Sequence, residues 1–113
     1  MNPSQTANAF YRYLPPALFA VVAAVYLFTL SPTFLHTDSG ELAAVQYTGG
    51  IAHPTGYPLF TMLGWLFSRI GVTSHPVLQL NFLCLLFTAG GIYFFARTLT
   101  EFYARFRPKG ENE

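Results

Sequence analysis

Asp38, Glu41, His36 and His53 stand close together in a stretch with no other charged residue. It reads His36-Thr37-Asp38-Ser39-Gly40-Glu41, then, after a short apolar segment, Gly49-Gly50-Ile51-Ala52-His53-Pro54-Thr55-Gly56-Tyr57-Pro58. Carboxylates and imidazoles are the side chains that most often hold or move a proton at neutral pH, so this stretch has the means for acid–base chemistry. A plainer reading competes for Asp38 and Glu41. Asp-x-x-Glu ahead of an apolar run matches a capping box, in which Asp38 accepts from free backbone N–H groups and Glu41 reaches back from the third helical position. The two roles are compatible, because a carboxylate fixed at a helix start is also well placed for chemistry. A capping carboxylate is an acceptor, which suits a base or a metal ligand better than an acid.

His53 precedes Pro54, which biases it towards an extended backbone, and loop histidines of this kind often make only local hydrogen bonds. A helix of about ten residues is ~15 Å long, so His53 meets Asp38 only if the chain folds back. The glycines and prolines between positions 49 and 58 permit such a turn without requiring it. His75, before Pro76, reads as the entry to a helix. No cofactor is assigned; a divalent metal is left open, since no recognised ligand spacing is present.

Composition determines what holds this stretch in place. Of 113 residues, 52% are hydrophobic and 10% charged, against about 25% charged in a soluble domain. Too few polar groups are present to cover a water-facing surface, so the lipid bilayer is the natural solvent. The net charge of +1 gives no basic footprint for nucleic acid. Cys84, alone in an apolar run, forms no intrachain disulfide and reads as a small packing residue.

No Asp, Glu, Lys or Arg occurs from 13 to 37 or from 70 to 96. Each gap holds the ~20 apolar residues that a helix needs to cross about 30 Å of hydrocarbon, and within lipid a helix satisfies its own backbone. The expected fold is an all-α membrane protein with two transmembrane helices, at 13–35 and 77–97. They are joined by an extracytoplasmic loop, 36–76, carrying two short interfacial helices. A further uncharged gap, 42–68, is broken by Gly49, Gly50, Pro54, Gly56 and Pro58. Its pieces are too short to span, and the one from Pro58 to Ile70, with Trp65, suits the interface. The first apolar run is longer than a cleavable signal sequence and no A-x-A site follows it; Ser31-Pro32-Thr33 reads as a helix stop.

Lys and Arg set the orientation. Arg97, Arg105, Arg107 and Lys109 follow the second span, whereas the loop has only Arg69 and the N-terminal tail only Arg12. The positive-inside bias puts both termini (1–12 and 98–113) in the cytoplasm, in a cell inner membrane, and the loop outside. Residues 1–9 read as a loose polar tail. Ala17, Ala20 and Ala24 share one helix face, and Ala89-Gly90-Gly91 offers a second place for close helix approach. The second span carries Gln79 and Asn81 near its outer end.

Asp38-Ser39-Gly40-Glu41, then Gly50-Ile51-Ala52-His53-Pro54-Thr55-Gly56-Tyr57-Pro58-Leu59 and Leu63-Gly64, resembles the opening of a membrane family long catalogued as a domain of unknown function. That family belongs with the GT-C glycosyltransferases and is similar to the protein O-mannosyltransferases. The likeness covers about residues 17–100 and is specific at 38–64. Thr37 and Thr55 stand where Gly and Pro are expected, and Leu42 where Phe is usual; the charged and turn-forming positions are intact.

The resemblance implies transfer of a sugar, mannose-like, from a polyprenyl-phosphate donor to an acceptor hydroxyl on the extracytoplasmic side. It implies Asp38 as the acidic catalytic residue of the first outer loop, with Glu41 orienting the acceptor or Asp38. It also implies His53 in contact with the phosphate, Pro54, Gly56 and Tyr57 shaping the substrate site, and Arg69 as a weaker candidate for the phosphate. Such families have many more spans, so the chain reads as the N-terminal piece of a larger enzyme, partnered by the remaining spans of a split enzyme or by another membrane protein. The alternatives are a small non-enzymatic two-span subunit, a truncated inactive gene product, or a transporter fragment. The last lacks the intramembrane charges such pathways usually show.

Overall fold

The computed structural model describes residues 3–35, 37–54 and 56–106, with side chains from Ala9 onward except that of Thr37. His36, Thr55, Arg107, Lys109, Glu111 and Glu113 lie outside the described residues. Four helices follow in order: α1 (Pro3–Thr29), α2 (Thr37–Thr48), α3 (Pro58–Ser68) and α4 (Pro76–Phe106). No strand occurs among the described residues. Two helices are long and apolar enough to cross a membrane, Ala9–Thr29 and Pro76–Phe106, and only 6% and 28% of their most apolar stretches are buried. The core helix of a soluble protein would be mostly buried; these leave their apolar surface open, as lipid-facing helices do.

α1 starts at Pro3, within the segment that composition marks as a loose tail. Proline suits a first helical turn because its missing N–H has no partner there in any case. The helix also runs through Pro15 and Pro16, and it ends at Thr29, short of position 35. The stop is at Ser31-Pro32-Thr33 as expected: Ser31 Oγ donates to the Thr33 carbonyl at 2.7 Å and accepts from the Thr33 amide at 3.2 Å. α4 has 31 residues, about 46 Å of helix, against about 30 Å of hydrocarbon. The spanning helix therefore continues past Arg97, through the aromatic stretch to Phe106.

The chain forms two compact units, 1–25 with 86–113, and 26–85. In the first, α1 and α4 run antiparallel, with ring contacts between Tyr11 and Tyr103 (5.1 Å) and between Phe19 and Tyr93 (6.5 Å). Pro15, Ala89 and Ala96 are buried there, whereas Ala17 and Ala20 are exposed.

The second unit packs α2 against α3. Gln46, 2% exposed, donates from Nε2 to the Phe60 carbonyl at 3.1 Å. The Gln46 side chain lies where a Cβ on Gly64 would have to be, so only glycine at 64 lets the helices approach this closely. The Gln79 and Asn81 amides close the unit. Gln79 Nε2 donates to the Phe67 carbonyl at 2.6 Å and Asn81 Nδ2 to the Ser31 carbonyl at 2.9 Å. His75 precedes α4 as expected, its carbonyl accepting from the Gln79 amide at 3.1 Å.

Candidate functional site

The site is built on the first turns of α2. The helix begins at Thr37, so Asp38 lies within its first turn, where the positive end of the helix dipole favours a carboxylate. Glu41 stands three residues on, and residues three apart share a helix face. The expected reach of Glu41 back to the helix start is not what forms. Both of its oxygens face His53: the His53 backbone N–H donates to Oε1 at 2.7 Å and Nδ1 meets Oε2 at 3.0 Å. The chain does fold back, but it brings His53 to Glu41.

Glycine and proline make the return. Gly49, with φ 75°, ends α2 in the left-handed conformation, and its amide bonds the Val45 carbonyl at 2.8 Å, a usual way to stop a helix. The segment then reverses over His53–Gly56, where the Gly56 amide donates to the His53 carbonyl at 2.7 Å. Pro54, next to His53, has the fixed φ that favours such a reversal. Tyr57 is the only non-glycine residue with positive φ among those described, at φ 44° and ψ 51°, a conformation that is strained for a bulky side chain. Pro58 then opens α3. The Tyr57 ring stands edge-on to the His53 imidazole, with centroids 5.7 Å apart at 76°. Pro54, Gly56 and Tyr57 therefore shape the loop that holds His53.

Glu41 and His53 remain accessible, at 43% and 39% side-chain exposure, so a substrate can reach the pair. The two His53 donors, the backbone N–H first and the ring second, hold the Glu41 carboxyl below its ordinary value of 4.5, against a smaller opposing effect of burial. Glu41 is thus an ionised acceptor at neutral pH. Asp38 is exposed, and among the described residues its carboxylate has no hydrogen-bond partner. No group of three His, Cys, Asp or Glu side chains gathers as a metal centre among the described residues.

Arg69 lies elsewhere. Its guanidinium is 5.2 Å from the Trp65 ring and 6.0 Å from the Tyr47 ring, and Nη2 donates to the Tyr47 carbonyl at 3.5 Å. Tyr47 is nine residues beyond Asp38, about 13 Å along the helix. Among the described residues Arg69 makes no hydrogen bond or ion pair with Glu41 or His53; the cation and its aromatic neighbours brace the far end of α2 against α3. Where the end of α2 and the loop after it meet α3, an open cavity of about 620 Å³ is lined by Gly49, Gly50, Ile51, Gly56, Met62 and Trp65 among others, with no charged side chain. Sequence reasoning gave no role to Gln46, Gly64 or Trp65 in positioning the site. A polar residue inside the otherwise apolar run after Glu41 was the available signal for Gln46.

The family model described as the N-terminal domain of protein O-mannosyl-transferase TMEM260 matches residues 38–113, which include Asp38, Glu41, His53, Pro54, Gly56, Tyr57 and Arg69. Among curated proteins, the chain is 44% identical to mouse "Protein O-mannosyl-transferase TMEM260" over 73 residues, 65% of this chain and 10% of that protein. It is 47% identical to the Dictyostelium discoideum protein of the same description over 53 residues, 47% of this chain and 6% of that protein. The chain thus spans no more than a tenth of the length of these relatives. No solved structure matches it. By the extent of the family match, the chain belongs to the family of protein O-mannosyl-transferase TMEM260 N-terminal domains.

Proposed function

We propose that this chain is the N-terminal segment of a multi-spanning glycosyltransferase of the GT-C kind, which moves a mannose-like sugar from a polyprenyl-phosphate donor to an acceptor hydroxyl on the extracytoplasmic side. The observation that carries the reading is the acidic first turn of α2, closed on an ordered histidine loop, in a chain whose relatives are named protein O-mannosyl-transferases. An acceptor hydroxyl is a poor nucleophile and needs a positioned base. Asp38 supplies it, with its carboxylate exposed one turn before Glu41. The hydroxyl oxygen bonds to the anomeric carbon, its proton passes to Asp38, and the carbon–oxygen bond to phosphate breaks with its electrons leaving on the phosphate. Charge developing there needs donors or a cation. With Arg69 engaged by Tyr47 and Trp65, that help comes from further spans or from a bound divalent ion.

The bilayer, the lipid-linked donor and the remaining spans, or a membrane partner that replaces them, are the partners this reading requires. Both termini face the cytoplasm of a cell inner membrane. The donor class is tested with membranes carrying the complete transferase, supplied with labelled mannose either on a polyprenyl phosphate or on a nucleotide. Transfer from the lipid-linked sugar is expected, and transfer from the nucleotide sugar alone would overturn the reading. Sidedness is tested with an Ala9→Cys, Cys84→Ser variant in intact cells. Protection from a membrane-impermeant thiol reagent is expected, and labelling would reverse the topology.

A further inference from the structure

We propose that the cleft between α1 and α4 binds one anionic phospholipid of the bilayer, with an acyl chain along the cleft and the phosphate at Arg12 and Arg105. All of its lining residues belong to the unit formed by 1–25 and 86–113. The cleft has a volume of about 790 Å³, and its walls include Leu14, Leu18 and Val22 from α1 and Ile92, Phe95 and Leu99 from α4. No charged side chain lines it. From Tyr11 to Val22 it runs about 16 Å along α1. One leaflet supplies half of the ~30 Å of hydrocarbon. The cleft therefore has the length of one acyl chain, and about half the length that a further spanning helix would cover.

Charge sets both the depth of the cleft and the class of its occupant. No Asp, Glu, Lys or Arg follows Arg12 before Asp38, so hydrocarbon begins just beyond Arg12. The ring contact of Tyr11 with Tyr103, centroids 5.1 Å apart, puts Tyr103 at the same level, and tyrosine favours that interface. The cleft opens beside these two rings, at the headgroups, and runs inward. Arg97 lies about 9 Å deeper than Tyr103 along α4, where a charge is kept paired, and Glu101 meets it at 2.7 Å. Arg12 and Arg105 are exposed, and among the described residues neither has an acidic partner. Arg12 follows the lining residue Tyr11. Arg105 lines a second open depression that shares Phe102 and Phe106 with the cleft. The mouth thus carries two cations, and the one acid near it is neutralised by Arg97. An anionic headgroup with an apolar tail matches both parts of the site. A zwitterionic headgroup brings a cation of its own, for which the mouth has no free acid.

The experiment uses the 113-residue chain with ¹³C-labelled valine and leucine methyls in phosphatidylcholine nanodiscs. A small fraction of the lipid carries a nitroxide on its acyl chain and is either phosphatidylglycerol or phosphatidylcholine. Val22 lines the cleft, whereas Val21, at the same depth, is 61% exposed outside it. A cation near the surface strengthens attraction to an anionic lipid about fivefold. The phosphatidylglycerol label is therefore expected to relax Val22 roughly tenfold or more above the phosphatidylcholine label, while Val21 responds equally to both. Arg12→Gln and Arg105→Gln should each lower the Val22 preference about fivefold, with unchanged Val21 relaxation showing that the variants still insert. Equal responses of Val22 to the two lipids in the wild-type chain, or no loss in either arginine variant, would overturn the site. Shielding of Val22 from both labels in a particle of two chains would make the cleft an interface between copies and overturn it too. So would stronger displacement of the label by a polyprenyl phosphate than by unlabelled phosphatidylglycerol, which would assign the cleft to the lipid-linked donor.

Discussion

The two compact units hold their helices together by different chemistry. In the unit formed by 1–25 and 86–113, contact is made through rings and small apolar residues: Tyr11 with Tyr103, Phe19 with Tyr93, and the buried Ala89 and Ala96. In the unit formed by 26–85, an apolar core that includes Leu80, Leu83 and Leu85 is crossed by polar, directional ties. Gln46 bonds Phe60, Gln79 bonds Phe67, Asn81 bonds Ser31, and Glu41 binds two donors of His53. Apolar contacts constrain distance and angle only loosely, whereas hydrogen bonds fix both. A site that must hold a carboxylate and an imidazole in register needs the second kind, and the candidate residues all lie in that unit.

The glycines sharpen the contrast. Gly64→Val should have the largest structural effect, because the new side chain falls on the buried Gln46 amide. Overpacking of this kind costs about 1–3 kcal/mol, read as a lower denaturation midpoint of the 113-residue chain in detergent. Gln46→Ala comes next, removing the bond to Phe60 and leaving a gap against Gly64 for about 1–2 kcal/mol. A double variant with Gly64→Ala should recover part of that loss, since the added methyl then finds space; no recovery would mean the two residues do not share one contact.

Acid gives the next test. The folded-state pKa of Glu41 lies below its ordinary value of 4.5. Its contribution is therefore fully present above pH 4.5 and is lost as pH falls through the folded value. Hydrogen exchange at the His53 amide should show protection at neutral pH that disappears on acidification below 4.5. In Glu41→Gln that acid step should be absent. The smallest effect belongs to the other unit. A Cβ added at Gly90 or Gly91 meets nothing within 4 Å, so Gly90→Ala or Gly91→Ala should leave stability unchanged or raise it by about 0.5–1 kcal/mol. A loss as large as that of Gly64→Val would erase the contrast between the units.

The spans were legible in the sequence because their signal is a sum over many residues. Gaps in charge from 13 to 37 and from 70 to 96 mark the long apolar helices whatever the local detail. The stop at Ser31-Pro32-Thr33 and the entry at His75-Pro76 were legible for a local reason, since proline and short hydroxyl side chains act on their immediate neighbours. The partner of Glu41 was not legible. A capping box and a bond to His53 use the same carboxylate, and only the path of residues 49–57 decides between them. Ala89-Gly90-Gly91 misled in part: small residues permit close approach, yet Ala89 is buried while the two glycines face open space. Arg69 reads in the sequence as a lone cation with an anion to bind; the fold adds what the sequence does not show, that the rings of Trp65 and Tyr47 receive it.

The central claim is that chemistry belongs to the acidic turn of α2 and that the other unit supplies a frame. Its most direct measurement is the rate of sugar transfer by the complete transferase carrying Asp38→Asn, beside the same enzyme carrying Glu101→Gln. Glu101 is an exposed carboxylate of the other unit, paired with Arg97 at 2.7 Å. Removing a general base costs about 10²- to 10⁴-fold. A loss of that size is predicted for Asp38→Asn at unchanged protein level and membrane insertion, with near-normal transfer for Glu101→Gln. Full activity of the Asp38→Asn enzyme, or equal losses in both variants, would contradict the account.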